Sequence, residues 1–169
     1  SKDAVEQLQN LIRSQAMELI EVGSHSYSHG PIINQDKTIL KKELAESKKV
    51  LSSKSREVSG FRPPREEVND EMIEWLIDAD YVYLLAGAQN KLYPQIIDDD
   101  FVLLPRTGTD DYEYFVTGKM SASTILETFQ AEEALVRALN GVYTLGVHTH
   151  LMTFGDNIKI LESILEKIK

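Results

Sequence analysis

Short apolar runs alternate along this sequence with longer stretches whose apolar residues recur at helical spacing, and that alternation restricts the folds open to it. Ile39, Leu40, Leu44 and Leu51 fall on one helical stripe behind Thr38 as N-cap. Met72, Ile73, Leu76 and Ile77 do the same behind Asn69, and Ile160, Leu161, Ile164, Leu165 and Ile168 behind Asp156. Two further helices are expected: 4–19, from Val5, Leu8, Leu11, Ile12, Ala16 and Leu19, and 123–139, capped by Ser123 and ended by Asn140-Gly141. Between the helices, 19–22, 57–61, 81–86, 101–104 and 142–147 read as short strands, with 81–86 the best candidate for burial on both faces. Strand and helix in turn indicate an α/β chain, a parallel sheet or barrel with helices outside. At 169 residues, with no internal repeat or linker, the chain suits a single domain with a real core.

In such folds chemistry collects at the carboxyl ends of the strands. Four polar clusters follow predicted strands: His25 with His29, Arg62 to Arg65, Asp110 with Asp111, and His148 with His150. They contain every histidine of the chain. His25 and His29 do not belong to a helical zinc-protease motif, because Ser26 stands where that motif needs Glu and Gly30-Pro31 stops a helix. A strand breaking at Gly23 into a turn is the better picture. Two neutral imidazoles, one carboxylate and an open water position make a catalytic zinc site; alone, the pair also reads as two loop histidines. Arg62-Pro63-Pro64-Arg65 is equally open to reading as a rigid exposed turn, and Asp110-Asp111 as a solvated acidic loop. On a strand, alternation sends His148 and His150 to one side. Trp75, Tyr81 and Tyr83 read as core or edge residues; Tyr93, Tyr112 and Tyr114 lie in loops.

Charge excludes several functions. A net charge of −9 argues against a nucleic-acid surface and an anionic membrane, and is compatible with a cationic polymer. No apolar run reaches the length of a membrane span, and the first ten residues lack a signal-peptide core. The absence of cysteine excludes disulfides and thiolate metal ligands.

With these clusters in view, the sequence resembles the polysaccharide deacetylases of carbohydrate esterase family 4. His25-Ser26-Tyr27-Ser28-His29 looks like the family's metal motif, and Phe61-Arg62-Pro63-Pro64 like its arginine-proline motif. Asp111-Tyr112 is similar to its Asp-Trp motif, and Leu145-Gly146-Val147-His148 to its final histidine motif. The resemblance spans Gly23 to His150. It departs in two places. Nothing before His25 looks like the Asp-Asp strand that supplies the family's base and third metal ligand, so the first βα unit or units are expected to be missing. Arg65 stands where the family carries Tyr.

The resemblance implies a deformed (β/α) barrel, incomplete at its N terminus, and metal-dependent removal of N-acetyl groups from an amino-sugar polysaccharide. His25 and His29 would hold a divalent ion, zinc above all. Arg62 would pair with the aspartate base, and the backbone N–H of Arg65 would face the oxyanion. His148, favoured as nearer the strand, or else His150, would protonate the leaving amine, oriented by Asp111; Arg65 and Tyr112 would line the groove, with Tyr93, Tyr112 and Tyr114 open to forming a sugar-stacking wall. An extracytoplasmic location follows from such a substrate. With the aspartates missing, this chain alone is expected to be inactive, and the unpaired edge at 142–147 to be covered by another chain or avoided by a rearranged sheet. The rival readings are a non-catalytic carbohydrate-binding relative and a metal-dependent amidase of a small non-sugar amide.

Overall fold

A computed structural model describes residues 21–33, 35–53, 57–87, 91–98 and 100–168. The helix expected over 4–19 and the first part of the strand at 19–22 lie outside them. The chain divides into two compact units, one reaching to Ala86 and including Gln95–Leu104, the other formed by Gly87–Pro94 and Pro105–Lys169.

The first unit holds a four-stranded sheet in the order β1-β2-β4-β3. Its strands are β1 (Gly60–Phe61), β2 (Tyr83–Ala86), β3 (Gln95–Asp98) and β4 (Phe101–Pro105). β1 runs parallel to β2, with Gly60 opposite Tyr83 and Phe61 opposite Leu84. Ser24 bridges Phe61 in parallel, through Ser24 N to Gly60 O and Arg62 N to Ser24 O, both 2.8 Å. That bridge brings the end of the His-turn strand beside the arginine-proline turn. A Cβ at Gly60 would come 2.1 Å from the Tyr83 ring, so ring or backbone would have to shift.

Among the described residues two α-helices cover the unit: α1 (Lys37–Ser52) and α2 (Asp70–Asp78). α1 is capped by Asp36 rather than Thr38. The Asp36 carboxylate accepts from Thr38 N at 2.8 Å and Ile39 N at 3.4 Å, and those amides hold its pKa below the ordinary value. Asn69 caps α2 as expected, accepting from Met72 N at 2.9 Å. Leu40, Leu44, Phe61, Met72, Leu76 and Leu84 meet in the core. Three strand expectations need correction. The strand expected over 57–61 shrinks to its last two residues. β2 starts at Tyr83 and alternates between buried and half-buried positions instead of burying both faces. β3, which the sequence did not announce, pairs antiparallel with β4, so the sheet is mixed. Ile96 of β3 is 78% exposed, and a strand with no buried face has no apolar alternation to reveal it.

The second unit packs α3 (Ala122–Ala138) against α5 (Asn157–Ile168), with the single turn α4 (Thr149–Met152) before α5. Ile125 and Phe129 of α3 meet Ile160 and Ile164 of α5 around the buried Tyr114. The N-cap of α3 is Ser121, not Ser123: its Oγ accepts from Thr124 N at 3.2 Å. The run 142–147 forms no strand. It lies along 105–111 through mixed bonds, with Thr107 Oγ1 donating to Val142 O and accepting from Thr144 N, each 2.9 Å. Threonine hydroxyls take ladder positions there, so the apolar strand edge expected at this place is not formed.

Candidate functional site

In the first unit, the chain leaves the buried Ser24 and enters the turn that carries both histidines. Ser26 and His29 adopt left-handed backbone, at φ 66° and 60°. Such conformations cost about 1–3 kcal/mol each and persist where the surroundings fix them. Here Ser26 Oγ accepts from His29 N at 3.0 Å, and Glu43 Oε2 accepts from Tyr27 N and Ser28 N at 3.1 and 2.8 Å. The imidazole centroids stand 4.9 Å apart, with planes inclined by 70°. His25 Nδ1 lies 2.6 Å from the carbonyl oxygen of Arg62. A carbonyl only accepts, so Nδ1 carries a proton, and in the neutral ring the lone pair is on Nε2.

This donor set suits a divalent ion. A ring nitrogen tied to a backbone carbonyl is the usual support of a metal-bound histidine, and two imidazoles on a tetrahedral zinc, at Zn–N ~2.1 Å, have centroids roughly 5 Å apart. The donor count is one short: among the described residues no group of three or more His, Cys, Asp or Glu is placed to hold a metal.

The arginine-proline turn follows β1. Arg62 Nη2 donates to Glu66 Oε1 at 2.6 Å, while its buried Nε has no hydrogen-bond partner among the described residues. Arg65 and Glu66 are both left-handed, at φ 60° and 57°, and Arg65 is exposed.

In the second unit, Asp111 is wholly buried. One carboxylate oxygen accepts from the His148 backbone N at 2.5 Å, and the other lies 2.6 Å from His148 Nδ1. Asp111 N donates to Gly146 O at 3.1 Å, so both ends of the pair are fixed. The histidine is held in one orientation with Nε2 left to exchange a proton. His150 does not continue a strand. It sits exposed in α4, its ring centroid 5.6 Å from that of His148. Tyr112 is 52% exposed beside Asp111, and Tyr93 is exposed with its hydroxyl donating to Leu139 O at 2.6 Å. Tyr114 is fully buried, which removes it from any sugar-stacking wall: it is the residue around which this unit's helices close.

Three residues with a place in these arrangements had no signal in the sequence. They are Glu43 under the His turn, Glu66 against Arg62, and Glu132 on α3. Glu132 accepts from Thr109 N and from the Tyr143 hydroxyl, each at 3.1 Å, and from Thr109 Oγ1. It therefore ties down the loop that delivers Asp111. Burial, and then the charge of Glu132, push the Tyr114 and Tyr143 phenols well above their ordinary range. A glutamate on a helix in an acidic chain reads as solvated face, and only the fold shows what it holds.

Residues 1–84 match the family model for polysaccharide deacetylase. No curated protein matches. Among solved structures, the chain is similar to one described as a candidate polysaccharide deacetylase from Mycobacterium smegmatis, at 21% identity and TM-score 0.79, covering 97% of this chain and 62% of that one. It is also similar to PuuE allantoinase, at 13% identity and TM-score 0.76, covering 98% and 58%. A third is a Pseudomonas aeruginosa PAO1 protein described, by inference, as a polysaccharide deacetylase, at 15% identity and TM-score 0.74, covering 97% and 58%. Over residues 1–84 the chain matches the polysaccharide deacetylase family, and it has the fold of that family's deformed (β/α) barrels, here with an open sheet. It spans about three-fifths of the length of these structures, 62%, 58% and 58%.

Proposed function

We propose that this protein hydrolyses N-acetyl groups from an amino-sugar polysaccharide outside the cytoplasm, with a divalent metal, zinc by preference, at His25 and His29. The observation that carries the reading is the bond from His25 Nδ1 to the Arg62 carbonyl. It joins the two most specific motifs and presents Nε2 as a donor. When bound, the metal polarises the acetyl carbonyl and acidifies a water.

The chain's own residues do the rest. Arg62 keeps its buried Nε for an acceptor besides Glu66, which suits pairing with a carboxylate base. Arg65, left-handed and exposed, offers its backbone N–H to an oxyanion. His148, held at Nδ1 by Asp111, gives its Nε2 proton to the leaving amine. Tyr112 and the Arg65 side chain contact the sugar.

The test is acetate release from an N-acetylglucosamine oligomer by the intact protein supplied with Zn²⁺, and its loss in His29→Ala. Zinc uptake without acetate release from any such oligomer would sink the reading and favour a non-catalytic carbohydrate-binding relative. The similarity in fold to PuuE allantoinase supports a second reading, hydrolysis of a small non-sugar amide. Turnover of allantoin in place of the oligomer would select it.

A further inference from the structure

The turn that carries His25 and His29 is not held by its own residues alone. Its two middle amides, Tyr27 N and Ser28 N, converge on a single oxygen of Glu43 at 3.1 and 2.8 Å. Glu43 stands on α1 next to Leu44, which is fully buried, so its backbone is anchored in the core. One turn along, Ser47 bonds Ser24 at 2.8 Å, Oγ to Oγ. The same helix thus grips the chain just before the first histidine and again between the two. Bonds to a carboxylate are roughly twice as strong as bonds between neutral groups. Any relaxation of Ser26 or His29 out of left-handed backbone would carry the intervening amides away from Glu43.

The geometry points to Glu43 as the positioning residue of the histidine pair: by clamping the turn it sets the separation of the imidazoles and hence the affinity for a divalent ion. This inference rests on His25 and His29 being metal ligands. Glu43 Oε2 is engaged by the turn's amides, and among the described residues Glu43 joins no group of three or more donors placed to hold a metal. Groups that orient metal ligands without touching the metal typically contribute 10–100-fold to its affinity.

The test uses the full chain, as parent, Glu43→Ala and Glu43→Gln. Co²⁺ affinity is read from titration of its visible spectrum, and amide hydrogen exchange at Tyr27 and Ser28 is read in metal-free protein. Glu43→Ala is expected to lose protection at those two amides and to bind Co²⁺ about 10–100-fold more weakly, with the amides of Leu44 and Ser47 protected as before. Glu43→Gln retains an acceptor oxygen and is expected to restore most of the affinity. Equal Co²⁺ affinity in parent and Glu43→Ala overturns the inference, as does a Glu43→Gln variant no better than Glu43→Ala. A parent that takes up no Co²⁺ sinks the ligand reading itself. The clamp then stands or falls on exchange, and equal protection in parent and Glu43→Ala overturns it.

Discussion

Asp111 holds His148 twice, once at the backbone nitrogen at 2.5 Å and once at ring Nδ1 at 2.6 Å, from a side chain with no solvent exposure. A residue gripped at both points has its ring plane set before any substrate arrives. Under the proposed reaction His148→Ala is expected to lower kcat by ~10²–10⁴-fold, the usual contribution of a general acid. Asp111→Asn is expected to lower it by a smaller factor, since one amide oxygen replaces two acceptors. His150→Ala, which removes an exposed ring, is expected to stay near the parent. A His150→Ala variant as damaged as His148→Ala would reverse the assignment. Steady-state acetate release measures all three.

Metal removal gives a second prediction. Dialysis against a chelator is expected to abolish acetate release, and Zn²⁺ to restore it in the parent but not in His25→Ala or His29→Ala. Unfolding midpoints with and without Zn²⁺ supply a readout independent of turnover, because a ligand bound only by the folded state raises stability. A parent whose midpoint ignores saturating Zn²⁺ would count against metal binding at this turn.

Alkaline pH should unfold the protein through its buried phenols. Burial, then the hydrogen bond and charge of Glu21, raise Tyr83 from 10.0 to about 12. Tyr114 and Tyr143 are also raised, by burial and by Glu132. The folded state therefore holds these protons more tightly than the unfolded one. Their contribution to stability is complete below pH ~10 and is lost as pH rises through the folded values. Denaturant midpoints at pH 9, 10 and 11 should fall progressively, and Tyr83→Phe should flatten part of the fall. A midpoint unchanged up to pH 11 would contradict this account.

Gly60→Ala tests the contact between β1 and β2. The new methyl would meet the Tyr83 ring at 2.1 Å, so ring or backbone must move. The expected loss is ~1–3 kcal/mol, the usual range for overpacking, measured by urea unfolding. Adding Tyr83→Leu should recover part of it; a double variant as unstable as the sum of the singles would show that the strain lies elsewhere.

What the sequence made legible was set by pattern, and what it concealed was set by pairing. The stripe of Leu40 and Leu44 announced α1, because burial of one helical face leaves a period. Asp36 rather than Thr38 became its cap because the Asp36 carboxylate reaches two amides at once, a competition that composition cannot decide. The motif histidines were legible as a type, yet the partner of His25 is a main-chain oxygen of Arg62, which no side-chain pattern encodes. β3 was concealed because its ladder to β4 is satisfied without a buried face. Val142 to Val147 has the composition of a strand, but Thr107 and Thr144 hydroxyls occupy its bonding positions.

The paired left-handed residues after Pro63-Pro64 have a consequence for how this sequence is free to drift. At φ 60° and 57°, Arg65 and Glu66 are constrained by handedness before chemistry. Unbranched or small polar side chains fit there at modest cost, whereas valine, isoleucine or threonine would crowd the main chain. A lineage can thus exchange arginine for an aromatic or an amide at 65 while the direction of the backbone N–H passes through the exchange intact. Under the proposed function, substrate preference would be heritable at this position separately from the backbone N–H offered to the oxyanion, and a library restricted to unbranched residues at 65 would sample the one without disturbing the other.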